Sequence, residues 1–463
     1  MKRIFLWALA LLVLVGIAAA ARWRPDRALE VASGLTAHNV CSAAFISGLD
    51  AQATADELVK PMLPGFVGRL LRYHVDGTLK TVEASVVGLE PMRAAFTPGY
   101  GCRLILDPLY RGPSPAIPRA ASPVDSFAPP TQVVTENPDI NAALDREFTE
   151  IPSQRPRYVK AIVIVRDGHV IAERYAAGFT LETPLLSYSV AKSFTNALLG
   201  ILVHQGRLRI DQSIGAAEWQ RPGDPRSTIV IDDLLRMDSG IDAPETGSGF
   251  DPVSKMLYGK DDMAAFAAGF PLKEPPRSRW EYTSVDTIIL DRLLGATVGG
   301  GAPGMRAFAD QQLFSPLHMD HVIMEFDGAG TFVGSAHVYA PARDYARLGQ
   351  LFLNDGISPD GQRILPEHWV EYSRRTTLGS PYGAGFWTND GPSAQAAARV
   401  ARGFPKDGFF ASGNRGQRIY IIPSEHLIVA RFGYSPAPDF GIAEDLQLIK
   451  TTISAFKSSA SMR

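Results

Sequence analysis

A serine and a lysine three residues apart, Ser189 and Lys192 in LLSYSVAKSFTNALLG, precede an apolar continuation through Phe194, Ala197, Leu198, Leu199, Ile201, Leu202 and Val203. If a helix starts near the serine, residues three apart share one face and the lysine ammonium reaches the hydroxyl. The apolar neighbours imply burial; burial without a carboxylate lowers a lysine pKa, and a neutral amine can accept a serine proton. The positive end of the same helix favours an oxyanion beside the serine. The chemistry suggested is nucleophilic attack on a carbonyl. A Ser-x-x-Lys arises on the order of once by chance in a chain of this composition, so its company decides its meaning. Two stretches supply company. RWEYTSVDTIILDRLLG places Tyr282 and Ser284 just ahead of a helical pattern, and FFASGNRGQRIYIIP places Ser412 and Gly413 at a strand end, with a second glycine at 416. Each has a bland reading when taken singly: Ser189 as a helix cap, Tyr282 as a packed aromatic, Ser412-Gly413 as an ordinary strand end.

Taken in order, serine, lysine, tyrosine and a small-residue strand resemble the serine β-lactamase and penicillin-binding-protein superfamily. The likeness is closest to its class C-like branch, which includes esterases, D-amino-acid peptidases and 6-aminohexanoate-dimer hydrolases. GRLRIDQSI, IDDLLRMDSGI, FSPLHM and YAPARDYARLGQLFLNDG look similar as well, and the likeness spans about Tyr158 to Tyr434. The resemblance implies that Ser189 becomes acylated and that Lys192 is its base, alone or shared with Tyr282. Tyr282 would pass the proton to the leaving group and later help activate water. Ser284 would orient the network, the backbone N–H groups of Ser189 and Asn414 would form the oxyanion hole, Gly413 and Gly416 would let substrate approach the strand, and Ser284, Ser412, Gly413 and Arg415 would contact it. One departure stands out. Where many relatives carry Lys-Thr-Gly or His-x-Gly, this chain has Ala411-Ser412-Gly413, so the cation that holds a β-lactam or D-alanyl carboxylate is missing; Arg415 could restore it from a neighbouring position. No acidic residue is assigned as a separate deacylation base.

The expectation is therefore an exported serine hydrolase acting on a small ester, amide or short peptide through an acyl-enzyme, without cofactor or metal. Two alternatives stay open: a β-lactamase or D-amino-peptidase of the same fold, and a non-catalytic envelope protein that binds related ligands. His318, Asp320 and His321 in LHMDH read as surface residues rather than metal ligands. Tyr382 to Trp387, YGAGFW, reads either as an aromatic pocket wall or as core, and residues 242–262 read as a long loop near the site.

The elements that must hold these groups follow from periodicity. YVKAIVIVRDGHVIAERYAAG reads as two strands about Asp167-Gly168, and the stretch from Phe409 to Gly433 as two more runs separated at Pro423-Ser424-Glu425. Helical patterns such as SVDTIILDRLLGATVG and ARDYARLGQLFLNDG lie between them. The fold class expected is α+β: an antiparallel sheet flanked by helices plus an all-helical subdomain, at residues 137–460. A small mixed α/β domain, 30–112, precedes it, with LLRYHVDGTLKTVEASVV as a hairpin, and a Pro-rich linker, 113–136, joins the two. Residues 1–22 carry Lys2 and Arg3 before an apolar run from Ile4 to Ala21, either a cleaved signal peptide or an inner-membrane anchor, so the catalytic part would face the periplasm. Export makes a Cys41–Cys102 disulfide the expected state of the only two cysteines, against two buried thiols. A net charge of -2 lacks the basic footprint of a nucleic-acid binder.

Overall fold

A computed structural model describes residues 25–107, 113–115 and 126–461; the expected signal or anchor at 1–22 and residues 116–125 of the expected linker lie outside the described residues. Three sheets form. The largest has six antiparallel strands, and its middle is the meeting of the two ends of the large C-terminal region. β5 (Val159–Arg166) and β6 (His169–Tyr175) come from its start, while β11 (Phe409–Gly413), β12 (Gln417–Ile422) and β13 (Leu427–Gly433) come from its close. With β10 (Trp387–Thr388) the order is β10-β11-β12-β13-β5-β6. β5 reads VKAIVIVR without polar alternation because both its faces are covered. Ala161, Val163 and Val165 enter one apolar core, whereas Ile162 and Ile164 enter another with Ile140, Leu144, Leu446 and Ile449. The second core is closed by α3 (Pro138–Phe148) and α8 (Ile442–Ser461). On the other face lies α7 (Ala342–Leu353), whose Tyr345 stacks on Phe432 at 4.2 Å between ring centres. The expected α+β arrangement of an antiparallel sheet flanked by helices is thus present.

One expected strand run is in fact two strands. Between β11 and β12 the chain turns at Asn414–Gly416, where Arg415 (φ 62°) and Gly416 (φ 88°) adopt left-handed backbone that a continuous strand cannot contain. Residues 242–262 also differ from a simple long loop. Asp251 caps and Pro252 opens α5 (Pro252–Gly259), because the Asp251 carboxylate accepts the Ser254 N–H at 3.0 Å, so only 242–251 and 260–262 remain irregular.

The N-terminal region packs α1 (Pro25–Phe45) across a four-stranded antiparallel sheet, β1 (Leu71–Asp76), β2 (Thr81–Val86), β3 (Leu89–Thr97) and β4 (Gly101–Leu104), with a short helix α2 (Gly65–Leu70) at its edge. β1 and β2 pair from Leu71↔Val86 to Asp76↔Thr81, the hairpin its Asp-Gly turn suggested. The Cys41–Cys102 disulfide ties α1 to β4. The described second half of the proline-rich segment is extended but not free. Val133 exchanges hydrogen bonds with Glu173 on β6, and the Arg343 guanidinium donates to the Pro129 and Thr131 carbonyls at 2.7 and 2.9 Å.

Candidate active site

A tight turn at Tyr188–Val190 leads into α4 (Ala191–His204), the helix that the apolar continuation demanded; every residue from Ala191 to Leu202 is buried. Tyr188, immediately before the serine, has φ 42°, a strained conformation for an aromatic residue that swings Ser189 out at the head of α4. Ser189 is half-buried while both its neighbours are buried, so it is the residue of this turn that reaches the surface.

Lys192 lies one turn along, 2 % exposed. Its Nζ is 3.0 Å from Ser189 Oγ, 2.8 Å from Ser284 Oγ and 2.9 Å from the Ser335 carbonyl. Burial lowers its pKa to about 8, against the opposing pull of the Glu245 and Asp291 side chains. The three contacts distribute protons in one sensible way. The Ser335 carbonyl can only accept, Ser284 can accept a second N–H, and a neutral amine then keeps its lone pair for the Ser189 proton. Ser284 begins α6 (Ser284–Val298), held there because Thr283 caps the helix. Two further groups on α6 and its approach complete the surroundings. Asp291 is buried, its carboxyl pushed well up by desolvation, and it bonds Thr195 Oγ1 at 2.7 Å and the Gly334 N–H at 3.0 Å. Tyr282 stands beside the Ser189 hydroxyl, and burial raises its phenol well above 10, so it rests protonated.

The Tyr282 ring is fixed by aromatics from YGAGFW: Trp387 stacks on it at 5.5 Å and Tyr382 meets it edge-on at 5.5 Å, with Lys192 Nζ 5.0 Å from the ring centre. The stretch thus serves both readings, since Tyr382 and Trp387 wall the phenol while Phe386 is core. β11 supplies the third side. A Cβ built on Gly413 would stand 2.3 Å from the Ser187 carbonyl and 3.1 Å from the Ser189 nitrogen, so only glycine lets this strand end lie against the serine's turn. Ser412 and Asn414 flank it, both half-buried. Arg415 goes elsewhere. Its buried guanidinium donates to the Glu57 carbonyl of the N-terminal region at 2.9 Å, so it fastens that region rather than replacing the cation missing at Ala411.

Two participants had no signal in the sequence. The Ser335 carbonyl is backbone, indifferent to side-chain type. Glu245, from the irregular 242–251 segment, accepts the Ser284 N–H at 2.7 Å, and its charge bears on both Lys192 and Tyr282. Residues 318–321 do not assemble: His318 lies 3.5 Å from Asp360, and the His321 N–H meets Asp344 at 3.3 Å. Among the described residues the grouping with metal-ligand chemistry is His38, Glu325 and His337. It sits between the N-terminal and the large C-terminal region. The two imidazoles are stacked face to face at 4.1 Å, so their in-plane lone pairs do not converge, and the carboxylate is already taken by His38 and the Cys102 N–H, each at 2.6 Å. The grouping is a buried fastening between domains.

With this geometry in view, comparison with known proteins decides the family. The model of the Beta-lactamase family matches residues 144–450. The chain belongs to that family. A curated relative, 6-aminohexanoate-dimer hydrolase of Paenarthrobacter ureafaciens, is 23 % identical over 351 residues, covering 71 % of this chain and 83 % of its own. Among solved structures, a putative 6-aminohexanoate-dimer hydrolase from Bacillus anthracis superposes with a TM-score of 0.57 at 19 % identity, covering 72 % of this chain and 89 % of its own. A family VIII carboxylesterase does so with a TM-score of 0.53 at 14 % identity, covering 72 % and 99 %. Identities this low establish the fold, a β-lactamase-type hydrolase fold related to esterases, amidases and β-lactamases.

Proposed function

We propose that the chain is an exported serine hydrolase that cleaves an ester or amide through an acyl-enzyme on Ser189. The observation that carries this reading is Lys192 Nζ at 3.0 Å from Ser189 Oγ with its pKa lowered to about 8. In acylation the Ser189 O–H gives its proton to the neutral Lys192 amine as Oγ bonds to the carbonyl carbon. The resulting oxyanion is received by the N–H groups of Ser189 and Asn414. Tyr282, a protonated phenol in the resting site, donates to the departing alkoxide or amine and recovers its proton from Lys192. In deacylation water attacks the ester carbonyl carbon and gives its proton to this same Lys192–Tyr282 pair; the bond from that carbon to Oγ then breaks, and the pair returns the proton to Oγ, regenerating Ser189.

The raised phenol pKa favours Lys192 over Tyr282 as the resting base. Ala411, with Arg415 engaged at Glu57, favours substrates without the carboxylate of β-lactams and D-alanyl peptides, hence an esterase or amidase rather than a β-lactamase. Export is supported by Lys2, Arg3 and the apolar run that follows them. Labelling with a fluorophosphonate probe tests the assignment. The parent should gain one adduct by intact mass, Ser189→Ala should gain none, and equal labelling of the two would overturn it. Nitrocefin turnover as rapid as that of simple esters would restore the β-lactamase alternative.

A further inference from the structure

We propose that the N-terminal domain rests on the membrane surface through an apolar tip formed by Phe66, Leu70, Val87 and Leu89. These side chains are 69, 41, 59 and 58 % exposed. They are neighbours: Phe66 and Leu70 are one helical turn apart on α2, the Val87 N–H donates to the Leu70 carbonyl at 3.1 Å, and Leu89 follows across the β2–β3 turn. Four large apolar groups exposed on one end of a small domain mark a contact surface rather than scattered exposure. The turn adds a second sign. Val87 has φ 54° and Gly88 φ 76°, and a β-branched residue is ill-suited to that conformation, which Asn or Gly adopts readily. Val87 gains no burial in return.

What covers this tip is indicated by the chain that precedes the domain. The apolar run Ile4–Ala21 stops four residues before α1 begins at Pro25, and three intervening residues reach at most about 10 Å. A bilayer holding that run therefore lies against the N-terminal end of α1. The direction of α1 shows which end of the sheet this is. Phe45, at its C-terminal end, lies beneath Lys80 of the β1–β2 turn at 5.1 Å and against Phe96. Further back, Gly34 lies against Leu104, the strand partner of Ala94. Approaching Pro25, the helix thus runs away from the β1–β2 turn and toward the end of the sheet that carries Val87 and Leu89. Arg27, Arg69 and Arg72 are exposed on the first turn of α1, on α2 and at the start of β1, a set suited to anionic headgroups, and the sequence before α1 adds Arg22 and Arg24; Asp26 and Glu90 are the opposing charges. One apolar segment plus such a patch is the two-signal pattern that holds a domain against a surface and fixes its orientation.

The inference is independent of the chemistry at Ser189 and rests on the run at 4–21 entering a bilayer. Its test uses the full chain in vesicles of phosphatidylcholine and phosphatidylglycerol. Single cysteines are introduced as Val87→Cys, Leu89→Cys and, at the opposite end of the sheet, Leu79→Cys, which is also exposed (62 %). Each is labelled with an environment-sensitive fluorophore while the native disulfide stays intact. Labels at 87 and 89 should emit to the blue of the label at 79 and be quenched at least about twofold more by brominated lipid, as apolar side chains seated at the headgroup boundary require. Equal quenching at all three positions would overturn the proposal. So would a blue shift without lipid quenching, which would mean that protein covers the tip, and so would failure of the chain to remain with the vesicles.

Discussion

The protonation state of Lys192 sets a measurable pH dependence. With a pKa of about 8, its amine is neutral in about one molecule in a hundred at pH 6, one in ten at pH 7 and nine in ten at pH 9. If the neutral amine takes the Ser189 proton, kcat/KM for a p-nitrophenyl ester should rise about tenfold per pH unit below pH 8 and level off above it. The direction follows from the cause: burial disfavours the ammonium, whereas the nearby Glu245 charge favours it. Glu245→Gln separates the two effects. The amide oxygen can still accept the Ser284 N–H, but the negative charge is gone, so the lysine proton leaves more readily and the acid limb should move to lower pH. Initial rates of p-nitrophenyl butyrate hydrolysis between about pH 6 and 9.5, corrected for the spontaneous reaction, give both profiles. A parent profile flat between pH 6 and 8, or a variant limb displaced to higher pH, would refute the reasoning that Lys192 is the titrating base.

Removing the phenol in Tyr282→Phe deletes the leaving-group donor while keeping the ring between Trp387 and Tyr382; kcat should fall by about 10²–10⁴, and a value within tenfold of the parent would contradict that role. In Gly413→Ala the new methyl meets the Ser187 carbonyl at 2.3 Å and must push β11 off the serine's turn. Fluorophosphonate inactivation should then slow by about a hundredfold, as loss of an oxyanion donor would, and an unchanged rate constant would show that β11 forms no part of the hole. Cys41→Ser with Cys102→Ser opens a loop closed across 61 residues, which the chain-entropy model values at about 4 kcal/mol; urea unfolding followed at the N-terminal domain should show most of that loss, and a change below about 1 kcal/mol would contradict it.

Much of the site was readable because its parts are local. Ser189 and Lys192 share one helix face, Tyr282 and Ser284 stand two residues apart at a helix start, and Gly413 ends a strand; such spacings are recorded directly in the chain. The groups that escaped notice act across distance or through backbone. Ser335 contributes a carbonyl that any residue type would offer, 143 positions from Lys192. Glu245 is one acid in an irregular segment, and nothing in its neighbours says which way the loop will fold. The split between β11 and β12 was missed for a different reason: apolar runs on both sides of Asn414–Gly416 look continuous until the backbone is seen to turn left-handed at Arg415.

By itself the sequence determined the sheet-and-helix class, the order of the chemical groups and the absence of a cation at Ala411, since all of these depend on residue type and short spacing. Only the tertiary structure decided that Arg415 serves Glu57, that Glu245 faces the lysine, and that His38, Glu325 and His337 lock two domains together. The physical reason is that desolvation and charge act through space. A lysine becomes a base at an accessible pH only when segments far apart in the chain close around it, and no local pattern specifies that enclosure.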